Sequence, residues 1–133
     1  MDDAFGAIKG RIADFAGYGD APSRRASDEQ VRAVLGEALA LLRARHGEYF
    51  TAEDSALYDD LILQCAFMNQ QVFKDFEYAA LDDARKAEVA QCDRNLVDLA
   101  GRAGSVGADS LAGYLKELKT AFEQRDSVLT STS

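Results

Sequence analysis

Apolar residues three and four positions apart recur along five stretches of the chain, and no other feature restricts its fold so far. Val89, Cys92, Leu96, Leu99 and Ala103 fall on one side of a helix. Phe5, Ile8, Ile12 and Phe15 repeat the spacing, as do Leu111, Leu115, Leu118 and Phe122. A period of about 3.6 residues defines amphipathic helices whose stripes must be buried against one another. No alternating β-branched run of useful length competes with them. The spacing therefore predicts an all-α, single-domain helical bundle of four to five helices, mostly antiparallel and up-down. It covers residues 1–129, with 130–133 as a disordered tail that has no apolar anchor.

Helix boundaries follow from breakers and caps. The first helix is expected from Asp3 to Phe15, ended by Gly17-Tyr18-Gly19-Asp20-Ala21-Pro22. Ser27, with Gln30 three residues on, reads as a capping box opening the second helix. Its stripe is Val31, Val34, Leu35, Ala38, Leu39 and Leu42, and Arg43, Arg45 and His46 suit its C-terminal dipole before Gly47. Thr51 starts the third helix, which ends between Phe76 and Ala80. Its two apolar stripes make it the expected central helix. Asp82 or Asp83 caps the fourth, which closes near Arg102, and Asp109 caps the fifth, which reaches Arg125 or Leu129.

Charge narrows the partners. At 133 residues and a net charge of −8, the chain has the wrong sign for a phosphate-neutralising domain, so no nucleic-acid partner is expected. An anionic membrane surface is disfavoured for the same reason. No run approaches the ~20 apolar residues of a membrane span. Met1-Asp2-Asp3 lacks the basic start of a secretory signal, and Cys65 and Cys92 sit on helix faces rather than in a disulfide framework. The expected location is the cytoplasm.

The residues that could carry chemistry each have a simpler structural account. His46 is the sole histidine, which excludes helical metal sites that need two. A phosphotransfer histidine would sit mid-helix on an exposed face, whereas His46 meets Gly47 directly. Asp59-Asp60 and Asp82-Asp83 lack a further carboxylate one turn away. Gly101-x-x-Gly104-x-x-Gly107 follows a helix, not a strand, and carries no lysine, so it reads as a turn. Arg24-Arg25-Ala26-Ser27 matches a basophilic kinase pattern, but capping explains the serine. If helices three and four form a hairpin turning near Ala80, Cys65 and Cys92 come level to within about 4–5 Å, where buried thiols act as small hydrophobes.

What remains is an aromatic and amide-rich third helix. Tyr58, Phe67, Asn69, Gln70, Phe73, Phe76 and Tyr78 are the candidate interface or pocket residues. The expected function is a non-enzymatic protein–protein interaction or adaptor module that self-associates, with a homo-oligomer or protein partner and no catalytic residues, metal or cofactor. The alternatives are a small-ligand-binding bundle with a pocket beside helix three, and a divalent-metal enzyme using Asp and Glu.

Overall fold

The computed structural model describes residues 3–66 and 82–130 of the chain. Among them five α-helices and no strands are present: α1 (Asp3–Arg11), α2 (Ala21–His46), α3 (Ala52–Ala66), α4 (Asp83–Gly101) and α5 (Leu111–Thr130), with short 3₁₀ turns at Gly47–Tyr49, Ala103–Ser105 and Ala108–Ser110. This is the all-α bundle that the spacing requires.

Helix starts obey local chemistry, though not always at the expected residue. α2 begins six residues before Ser27, because Asp20 is its cap: the Asp20 carboxylate accepts from Ser23 N–H at 2.8 Å. Pro22 then sits in the first turn, where its fixed φ and missing N–H are harmless. The proline that reads as a breaker is part of a helix start. At α3, Thr51 and Asp54 close a reciprocal box, each side chain accepting the other's backbone N–H at 3.1 Å. Asp82 caps α4 through Arg85 N–H at 2.8 Å. Asp109 is not the cap of α5; it lies inside the Ala108–Ser110 turn, and the helix proper starts at Leu111.

Side-chain contacts fix the helix directions. Arg32 of α2 donates to the Gln64 carbonyl late in α3, so these two run antiparallel. Arg102 at the end of α4 pairs with Glu117 early in α5, so these do too. Glu53 and Asp60 of α3 meet Lys116 and Lys119 of α5 in the same order, so α3 and α5 run together. Arg45 and His46, at the end of α2, reach the Gly104 and Val106 carbonyls just beyond α4. Directions therefore alternate up-down from α2 to α5, while α1, whose Arg11 meets Asp98 near the end of α4, runs the same way as α2 and α4.

The order around the bundle is less simple. α2 packs on α3 and α4, and α5 packs on α3 and α4, while α1 lies along α4. α3 and α4 thus occupy one diagonal and α2 and α5 the other. Among the described residues α3 and α4 do not pack along each other as the expected hairpin would. The core where the four meet contains Leu39, Leu42, Leu61, Leu96, Leu111, Leu115, Leu118 and Phe122. It is built around α2, α4 and α5, with the described part of α3 closing one side rather than standing at the centre.

α1 ends at Arg11, four residues short of Phe15. Residues 12–20 then run back along α2 as a non-helical strap, yet Ile12, Phe15 and Tyr18 stay buried. Gly17 makes this path possible with φ 80°, the only positive φ among the described residues.

Candidate functional site

The most unusual place in the molecule is a charged cluster inside the core. Asp93 of α4 and Arg125 of α5 are both wholly enclosed, with Arg125 Nε 2.5 Å from Asp93 Oδ1. Arg125 Nη1 also lies 2.8 Å from Asp28 Oδ1 of α2, across the bundle diagonal. Asp28 pairs in turn with Arg32 one turn on, at 2.8 Å. The Tyr18 hydroxyl of the strap donates to the second oxygen of Asp93. The Arg32 guanidinium stands over the Phe122 ring, 5.2 Å from its centroid. Two acids and two bases therefore neutralise one another in a water-excluded space, where one unpaired charge would be very costly.

The protonation chemistry follows from that enclosure. Burial by itself would weaken the charge on Arg125, but Asp93 and Asp28 more than offset it and hold the guanidinium pKa above its ordinary value. Burial also pushes the Tyr18 phenol up, reinforced by the negative charge of Asp93, so this hydroxyl keeps its proton and remains a donor. Burial raises the Asp93 carboxyl as well, against the pull of Arg125 and the Tyr18 hydrogen bond. Asp126, half-buried beside the cluster, is raised for the same first reason, with Arg125 and Arg32 opposing.

The strap that delivers Tyr18 is held by side chains of α2 at three-residue intervals. Arg24 donates to the Tyr18 carbonyl at 3.3 Å, and Ser27 Oγ to the Gly17 carbonyl at 2.6 Å. The Gln30 amide donates to the Asp14 carbonyl at 2.9 Å and accepts from Ala16 N–H at 3.0 Å. Spacing of i, i+3, i+6 places all three on one helix face, so α2 satisfies backbone groups that a loop would otherwise leave to water. Ser27 is fully buried. It neither caps a helix nor offers itself to a kinase.

Of the residues singled out in the sequence, Tyr58 lies among the described residues; Phe67, Asn69, Gln70, Phe73, Phe76 and Tyr78 lie outside them. Tyr58 is buried, edge-on to Phe50 with ring centroids 5.4 Å apart, and Arg43 covers both rings at 5.2 and 5.8 Å. It is a structural aromatic with a cationic lid. His46 Nε2–H donates to the Val106 carbonyl at 2.8 Å, since a carbonyl can only accept. Cys65 and Cys92 are free and half-buried. Burial pushes the Cys65 thiol up to about 11, with Arg32 opposing.

The acids of α3 have separate uses: Asp54 in the cap, Glu53 on Lys116 at 3.7 Å, Asp60 on Lys119 at 3.3 Å. Among the described residues no three His, Cys, Asp or Glu side chains are placed to share a metal ion, and no helix is long and apolar enough to cross a membrane.

Surface grooves complete the picture. One, of about 660 Å³, runs between α4 and α5 beside the end of α1. It has Leu99 and Ala121 in its lining and carries the cations Arg11, Arg102 and Lys116. All three are engaged, with Asp98 at 3.3 Å, Glu117 at 3.3 Å and Glu53 at 3.7 Å. Another, about 400 Å³, lies between α2 and α4 among Val34, Ala38, Leu41, Val97, Ala100 and Gly104. Fold and interior together define a small helical bundle organised around an enclosed, charge-balanced cluster. Comparison with known proteins finds no match, whether among protein-family models, curated proteins or solved structures.

Proposed function

We propose that this chain is a non-enzymatic interaction module that self-associates. The observation that carries this reading is the contrast between its interior and its surface. Charged and hydroxyl groups able to serve chemistry are sealed inside and spent on one another, whereas large apolar side chains stand outside. Leu41 is 41% exposed, Tyr49 59% and Leu63 56%. Large apolar groups left at a surface lose their contact with water most simply against another protein surface. A net charge of −8 favours a protein partner over nucleic acid. The two free thiols suit a reducing cytoplasm.

Sedimentation velocity over a hundredfold range of protein concentration tests the reading. The expected result is a weight-average mass that rises from monomer toward dimer. A mass that stays at the 14.4 kDa of one chain at millimolar concentration would refute it. Titration with Mg²⁺ or Mn²⁺ separates the metal-enzyme alternative. A module without a metal site shows no saturable rise in Tm, since only ligands that bind the native state raise it.

A further inference from the structure

The outward face of α2 differs from that of its neighbours. From Ala33 to Leu41 its exposed positions are Ala33, Glu37, Ala40 and Leu41, with Gly36 half-exposed between them. A β-carbon added at Gly36 would meet nothing within 4 Å. One charge in these nine residues is sparse for a chain in which 29% of residues are charged. On α5, by contrast, the exposed positions include Lys116, Glu117, Glu123 and Gln124. Depletion of charge at the centre of a patch is what separates interface cores from ordinary surface.

The same face carries both a projection and a hollow. Leu41, itself part of the lining, rises 41% exposed from the groove toward α4, where the small side chains of Ala38, Ala100 and Gly104 leave space beside it. Its rim carries one acid, Glu37 on α2, and one base, Arg11. The Arg11 guanidinium lies against Gly101, where a β-carbon would collide with it. Knob with hole, and acid with base, on a single patch is the composition a two-fold interface requires, because each feature must meet its complement on an identical surface.

We infer that this face is a homodimer contact: Leu41 of each copy seats in the α2–α4 groove of the other, and Arg11 and Glu37 pair across the two-fold axis. This rests on the self-association reading above and gives it a location. Small residues at Ala33, Gly36 and Ala40 let the two α2 helices approach at the short end of helix-packing distances. Arg11 keeps its Asp98 contact while donating outward, since a guanidinium has five N–H groups.

The test is a set of surface variants measured by sedimentation against the wild-type chain. All are at exposed positions, so folding is expected to survive, and circular dichroism checks it. Leu41→Glu is expected to weaken dimerisation at least about tenfold, since it places a charge in an apolar socket. Leu63→Glu, outside the groove, leaves it unchanged. Glu37→Arg alone and Arg11→Glu alone each set like charges together and shift the chain to monomer. An equimolar mixture of the two regains dimer, as both pairs are then complementary. Were Leu41→Glu to dimerise like wild type while Leu63→Glu did not, the α2 site would be wrong and self-association would stand. A mixture that stayed monomeric beside a dimeric wild type would overturn the Arg11–Glu37 pairing. A monomeric wild type would remove both.

Discussion

Removing Arg125 is the sharpest perturbation the interior allows. Arg125→Met keeps most of the side-chain length but leaves Asp93 and Asp28 facing each other's charge, with Arg32 alone to balance two carboxylates. Breaking one side of a buried ion pair costs about 3–5 kcal/mol. With an unfolding entropy of about 2.1 cal/mol/K per residue, each kcal/mol lowers the Tm of a 133-residue chain by about 3.6 °C. The expected loss is then about 10–18 °C, read by circular dichroism, with urea unfolding at constant m-value as the check.

The informative step is the second one. Asp93→Asn in the same chain restores a neutral interior, because Asp28 and Arg32 remain paired at 2.8 Å. The side-chain carbonyl of the introduced asparagine is still able to accept from the Tyr18 hydroxyl. The double variant should therefore be more stable than Arg125→Met by about 2 kcal/mol, within the coupling range of contacting groups. A loss below about 1 kcal/mol for Arg125→Met, the range of exposed pairs, would refute the reasoning. So would a double variant whose loss equals the sum of the singles.

Other outcomes follow from the same geometry. Arg102→Ala breaks only an exposed pair with Glu117, and unfolding should register no more than about 1 kcal/mol. Ser27→Ala leaves the buried Gly17 carbonyl without its donor, which should cost about 1–3 kcal/mol in urea unfolding. A basophilic kinase should phosphorylate a peptide spanning Arg24–Ser27 but not the folded chain, as phosphate mapping by mass spectrometry would show. Cys65, raised to about 11, stays a neutral thiol at pH 7–9, and its reaction with iodoacetamide should climb only as pH nears that value. The sign for stability follows: this contribution is complete below the ordinary thiol range and is lost as pH rises through about 11. Urea midpoints across that interval would check it against a Cys65→Ala control.

The helical stripes are plain in the sequence because apolar spacing is local and redundant. The ion cluster is written in the same stripes, but charged residues there read as solvent-facing. Arg125 continues the series Leu111, Leu115, Leu118 and Phe122 at the next three-residue step. Asp28 and Arg32 precede Leu35 and Leu39 in register, and Asp93 lies between Val89 and Leu96. Taking Cys92 and Leu99 into the α4 stripe turns that face slightly away from its true centre, where Asp93 and Val97 are buried while Cys92 and Leu99 are only half-buried. Equal numbers of acids and bases at apolar register are the available signal. The start of α2 is hidden because a proline close behind two glycines suggests a break, yet Asp20 supplies the cap that makes it a first turn. The diagonal placement of α3 and α4 has no local signature at all, since it depends on contacts with α2 and α5.

The strap from residue 12 to 20 has one more consequence, for how this sequence can vary. Its backbone is recognised by Arg24, Ser27 and Gln30, which address peptide groups rather than side chains. The instructions for its route are thus stored on another segment of the chain. Ala13, Asp14 and Ala16 are exposed, and most residues able to adopt the same backbone would serve there equally well. Changes in the three α2 side chains would misdirect a stretch they do not belong to. A saturation library over residues 13–30 would show this as tolerance at the strap's exposed positions and intolerance at three points on the helix beside it.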